Sequence, residues 1–92
     1  MTDDPHMTRR KRLRFRAWHR GMQEADLILG RFADIRLGSM SAAELDQFEA
    51  LLEEVDQDIL DWMMGRSAVP EASDSPIVRE LLVFDFKQAV PQ

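Results

Sequence analysis

The sequence predicts an all-α fold, a small single-domain bundle of about five helices. Three observations carry that reading. Apolar residues recur at spacings of three and four in successive segments. Capping residues mark where those segments start and stop, the clearest being Ser41 with Glu44 three residues on. The connections are short, and no pair of segments reads as a convincing hairpin.

Residues 1–7 are polar and contain Pro5, and they read as a disordered start. The first helix covers residues 8–18, with Thr8 as its N-cap. Leu13 and Ala17 sit four apart, and Phe15 and Trp18 three apart. The arginines near its start oppose the helix macrodipole. A second helix runs from Gly21 to Ile35 or Arg36. Its apolar stripe is Met22, Ala25, Leu29 and Phe32. Gly30 inside it costs about 1 kcal/mol against alanine, and marks either tight helix packing or fraying. Leu37 and Gly38 close the helix, with Gly38 as its left-handed C′ residue.

The capping box Ser41-Ala42-Ala43-Glu44 opens the third helix. Leu45, Phe48, Leu52 and Val55 form its inner stripe. Asp46, Gln47, Glu49, Glu53 and Glu54 form a solvated acidic face. Asp56 is the N-cap of the fourth helix and Gly65 its stop, with Ile59, Leu60, Trp62 and Met63 as a broad apolar face. Residues 67–75 are a loop rich in serine, alanine and proline. Ser75-Pro76 then opens the last helix, serine at N-cap and proline at N1. Ile77, Val78, Leu81, Leu82 and Val83 carry it to about Phe86. Residues after Lys87 are loose, with 88–92 disordered.

Composition excludes several functions. There is no cysteine, so there is no disulfide, thiolate metal site or thiol nucleophile. His6 and His19 lack the spacing of a zinc pair. Asp56, Asp58 and Asp61 suggest calcium, but a loop starting at Asp56 has Asp61 at its sixth position and Ser67 at its twelfth. Those positions need glycine and glutamate. No apolar run approaches the roughly 20 residues of a membrane span. The first residues have no apolar core like that of a secretory signal, and Asp3, Asp4 and Pro5 argue against a transit peptide. There is no glycine-rich phosphate loop and no Ser-His-Asp set, and no carboxylate pair is singled out. A binding module is expected rather than an enzyme, with no catalytic, cofactor or metal residue.

Charge is distributed unevenly. Residues 1–20 carry a net +5 and residues 21–92 a net −10. A basic arm on an acidic body is a solvated end, an arm for an acidic partner, or a dock onto the body itself. Arginines interleaved with Phe15 and Trp18 invite a nucleic-acid reading. The competing reading, with aromatics packed inward and arginines facing water, is favoured because the acidic body repels a phosphate backbone.

The polar feature of the chain is Arg20-Gly21-Met22-Gln23-Glu24. Gly21 allows a left-handed backbone or a close approach by another surface. If a helix runs through them, Arg20 and Glu24 share one face and can pair. Alone, that is a turn and a surface ion pair worth about 0.2–1 kcal/mol.

The wider run, Arg20-Gly21-Met22-Gln23-Glu24-Ala25-Asp26, resembles the succinate dehydrogenase assembly factors that promote flavinylation. Their hallmark is Arg-Gly-x-x-Glu, commonly extended through a methionine and an aspartate. A second block is similar to theirs too: Leu52, then Asp56-Gln57-Asp58-Ile59, then Trp62 and Gly65. His19 stands where an arginine is often found. The resemblance spans residues 13–82 and implies a five-helix fold. It implies a chaperone that binds the flavoprotein subunit of succinate dehydrogenase, in bacteria also of fumarate reductase, and assists covalent attachment of FAD to a histidine of that subunit. FAD would then belong to the partner, with no cofactor bound stably by this chain. Arg20, Gly21 and Glu24 match the motif, Met22 and Asp26 its extension, and these five are the expected partner-binding residues. Asp56, Asp58 and Trp62 are expected to cap and pack. A monomer in the bacterial cytoplasm is expected, with the mitochondrial matrix as the alternative. The reading from another class is a helical nucleic-acid-binding or regulatory domain using the basic N-terminal segment.

Overall fold

A computed structural model of the chain describes residues 5–84. They form five α-helices: α1 Met7–Trp18, α2 Gln23–Arg36, α3 Ala42–Leu52, α4 Asp56–Met63 and α5 Pro76–Leu82. Short 3₁₀ turns at Leu37–Ser39 and Glu71–Ser73 join them, and the described residues contain no strand. The predicted all-α bundle is the observed one. The last helix, expected to run to about Phe86, instead ends at Leu82 with Val83 as its C-cap; the loose residues 88–92 lie outside the described residues, as do residues 1–4.

Helix α1 packs mainly on α2, α3 on α5, and α4 on α2. Leu13 and Ala17 from α1 meet Leu29, Phe32 and Ala33 from α2 in one core, which Leu45, Phe48 and Leu52 of α3 extend. Phe32 lies at its centre, with Phe48 tilted at 5.9 Å and Phe84 edge-on at 5.3 Å. Such ring pairs add about 0.5–1.5 kcal/mol beyond area burial.

Helix α1 begins at Met7, one turn-residue earlier than the capping pattern suggested. His6 holds the N-cap position and makes no side-chain cap, so Thr8 is inside the helix rather than its cap. With no cap and no acid in its first turn, α1 is held by tertiary contacts instead. Arg9 donates to Glu49 and Asp46 of α3, Arg14 to Asp34 of α2, and Arg16 to Glu53. Arg10 donates to the carbonyls of Leu37 and Met40, at 3.1 and 2.8 Å. The Leu37 carbonyl also accepts from the Met40 N–H, so Arg10 clamps both ends of the 3₁₀ turn that follows α2. The acidic face of α3 is therefore a dock for α1 rather than a purely solvated surface.

Gly30 resolves as tight packing. The Trp18 indole lies across it, and an added Cβ would fall under 3.0 Å from the ring atoms. Gly38 is not a left-handed C′ residue; it lies within the 3₁₀ turn, and among the described residues only Gly21 and Gly65 have positive φ. The Ser41–Glu44 capping box is present in both directions, 3.2 Å into the hydroxyl and 2.9 Å into the carboxylate. Val55 does not continue the α3 stripe. The helix stops at Leu52, which leaves Val55 exposed as the N-cap of α4, and Leu51 takes the inner position. Asp56 is consequently the first helical residue of α4 and not its cap.

Gly65, at φ +73, ends α4 as predicted. Its N–H donates to the Trp62 carbonyl and that of Arg66 to Asp61, the paired bonds of a Schellman stop. Ser75 caps α5 through the Val78 N–H with Pro76 following, while Gln47 of α3 accepts from the Ile77 N–H. Val83 lies beyond the end of α5 and is exposed.

Candidate functional site

Residues 19–22 form the turn between α1 and α2, and the polar motif is built on it. Gly21 sits at φ +92, a backbone state that residues with a Cβ rarely adopt. No atom outside its immediate neighbours lies within 4 Å of where its Cβ would be, so the chain needs glycine here for conformation and not for space. Of the two uses the sequence allowed for Gly21, the described residues show the left-handed one.

Met22 is the extended N-cap of α2, and its side chain offers no cap. Asp26, one turn into the helix, closes the turn instead: its carboxylate accepts from the Arg20 backbone N–H. Its position in the first turn also suits the macrodipole, as does that of Glu24.

Arg20 does not pair with Glu24, because the helix starts only at Gln23. Its side chain turns the other way and is 11 % exposed. Nε donates to Asp56 at 2.7 Å, Nη2 to the Glu54 carbonyl at 2.7 Å, and Nη1 to the Leu52 carbonyl. Leu52 closes α3 and Glu54 follows it, so the guanidinium caps carbonyls at a helix C-terminus, where a cation is favoured. Asp56 sits at the N-terminus of α4, where a carboxylate is favoured. One arginine thus ties the α1–α2 turn to the α3–α4 junction.

Glu24 is left outside. It is exposed, and no described residue bonds to it. Beside it, a groove of about 400 Å³ runs between α2 and α4. Met22, Leu27, Ile28, Leu60 and Met64 give it an apolar floor, and Glu24, Gln57 and Arg66 complete the lining. Met64 is 64 % exposed. Leu27, Met64 and Arg66 were missed by sequence reasoning. The available signal was the run Leu27-Ile28-Leu29, which holds one more apolar residue than an inward stripe uses.

The basic arm contributes little free charge. Arg9, Arg10, Arg14, Arg16 and Arg20 all bond to carboxylates or carbonyls of this chain. Phe15 is not packed inward as expected; it is 63 % exposed and stacks on His19 at 3.9 Å. Trp18 is half-buried, its ring lying over Gly30 outside the central core and its Nε1–H donating to Asp34. No cluster of metal-ligating groups occurs among the described residues, and no described helix is long and apolar enough to cross a membrane.

A five-helix bundle with a part-buried Arg20–Asp56 tie, and with the exposed Glu24 carboxylate beside an open apolar groove, has the form of a small binding module. The comparisons identify its family. The family described as flavinator of succinate dehydrogenase matches residues 11–85, and the chain belongs to it. The FAD assembly factor SdhE of Acetobacter pasteurianus is 38 % identical over 82 residues, covering 89 % of this chain and 75 % of that protein. The mitochondrial succinate dehydrogenase assembly factor 2 of Dictyostelium discoideum is 33 % identical over 70 residues, or 76 % of this chain and 50 % of that protein. Its counterpart in Candida glabrata is 41 % identical over 80 residues, or 83 % and 52 %. The chain therefore spans three quarters of the bacterial relative and about half of these mitochondrial ones. These relatives are named for assembly and not for catalysis, in keeping with a chain that is not an enzyme.

Proposed function

We propose that this chain binds the flavoprotein subunit of succinate dehydrogenase and promotes covalent attachment of FAD to it. Family membership supports the process. One structural observation supports the docking surface: Glu24 is exposed, with no bond to another described residue, beside the open groove between α2 and α4. Arg20, Gly21, Met22, Glu24 and Asp26 form the partner-binding segment. Glu24 supplies a charge-assisted hydrogen bond, Met22 adaptable apolar contact, and Gly21 a turn with no side chain in the way.

The chain acts by holding the flavoprotein in a conformation in which its own FAD reacts. FAD stays with the partner, and this chain adds no catalytic group. The flavoprotein of fumarate reductase is a second client on the same surface. The chain works as a monomer in the compartment that holds its client, the bacterial cytoplasm or the mitochondrial matrix. The nucleic-acid alternative is weakened, since Arg9, Arg10, Arg14 and Arg16 of the segment it uses bond to carboxylates or carbonyls of this chain.

The test is to express the flavoprotein subunit with and without this chain and read covalent flavin by fluorescence on a denaturing gel. Co-purification and increased covalent flavin are expected. No complex together with unchanged flavin would overturn the proposal.

A further inference from the structure

The two sequence blocks around Arg20 and Asp56 are 36 positions apart, yet they meet in one part-buried contact. Arg20 and Asp56 are 11 % and 18 % exposed, so neither presents its charged atoms freely at the surface. The groove beside them has one wall on α2, with Met22 and Leu27, and the other on α4, with Leu60 and Met64. Arg20 belongs to the turn that starts α2, and Asp56 is the first residue of α4. Their bond therefore joins the starts of the two walls.

We infer that Arg20 and Asp56 are positioning residues: their bond sets the spacing between the α2 and α4 walls of the docking groove, and neither side chain needs to touch the partner. The inference rests on the proposed binding of the flavoprotein. Arginine suits this task because its planar fork reaches the Asp56 carboxylate and two carbonyls together. A lysine ammonium is a compact point charge that lacks that fork. Asp26 completes the arrangement by holding the Arg20 backbone N–H.

The test is a double-mutant cycle on affinity for the flavoprotein subunit, using Arg20→Lys, Asp56→Asn and the double variant. Binding is measured well below every variant's melting midpoint, so that global unfolding does not contribute. Asp56→Asn is nearly isosteric and leaves the two carbonyl contacts of Arg20 in place, so it keeps the test open if Arg20→Lys folds poorly. Each single variant is expected to weaken binding about tenfold, and the double variant little more than either, as for two residues in one contact. The Glu24 amide resonance should move in Asp56→Asn although Asp56 lies on another helix. Losses that multiply in the double variant would overturn the inference, because Arg20 would then act on the partner independently. Unchanged binding by Asp56→Asn would overturn it too. Failure of the unaltered chain to bind would instead refute the proposed function itself.

Discussion

At the scale of single residues, the two informative glycines do opposite things. Gly21 supplies a positive φ in open space, and Gly30 supplies room for Trp18. A side chain at Gly21 meets backbone strain of about 1–3 kcal/mol whatever its size. Gly21→Ala and Gly21→Arg should therefore shift the urea midpoint by similar amounts. Affinity for the flavoprotein should fall further with arginine, because the added bulk sits beside Glu24. Equal losses of affinity would place Gly21 away from the interface. Gly30→Ala forces the indole to move, an overpacking cost of about 1–3 kcal/mol set against a helix-propensity gain of up to ~1 kcal/mol. Net destabilisation with a shifted Trp18 emission is expected; a stabilised protein would contradict the packing described. Arg20 could not be read from local spacing. Its four-residue offset from Glu24 suggested a pair, whereas its acceptors lie more than thirty positions away.

At the scale of elements, what was legible in the sequence was local. The capping box of α3, the Schellman stop of α4 and the serine–proline start of α5 depend on neighbours within a few residues, and all three are observed. The misassigned positions were those where a helix end is decided by distant contacts. Val55 fits the α3 stripe by spacing, but α3 ends before it, where Arg20 takes the free carbonyls. Asp56 looks like a cap, but its carboxylate goes to Arg20. The groove between α2 and α4 exists only once both helices are packed, so no single segment announced it.

Helix α3 offers a test of its own. Ser41→Ala removes the cap and should cost about 1 kcal/mol. The Ser41 backbone N–H, with Arg36 beside it, holds the Glu44 carboxyl below its ordinary range. A carboxylate whose folded value is lowered stabilises the fold above its unfolded value, and that support fades as pH falls through the folded value. Between about pH 5 and 3, the urea midpoint of the unaltered protein should therefore drop more than that of Glu44→Gln. Parallel curves would show that the Glu44 contacts add nothing.

At the scale of the whole molecule, the charge asymmetry is resolved inside the fold. The basic α1 lies against the acidic α3, and Arg36 joins α2 to Glu44 of α3 and Glu80 of α5. Partly exposed pairs of this kind are worth roughly 0.2–1 kcal/mol each and weaken in salt. Arg9→Glu should therefore destabilise the protein at low ionic strength and do so less in 1 M salt. A loss independent of salt would mean that Arg9 acts through packing. The same geometry separates the α1–α3 contact, where ion pairs hold the fold, from the α2–α4 groove proposed for the partner. The measurement that tests this division most directly is amide hydrogen exchange of the chain with and without the flavoprotein subunit. The account predicts slowed exchange in residues 21–28 and 60–66, with the outer face of α1 around Lys11 and Phe15 unchanged. Protection confined to α1, with the α2–α4 groove unaffected, would contradict it.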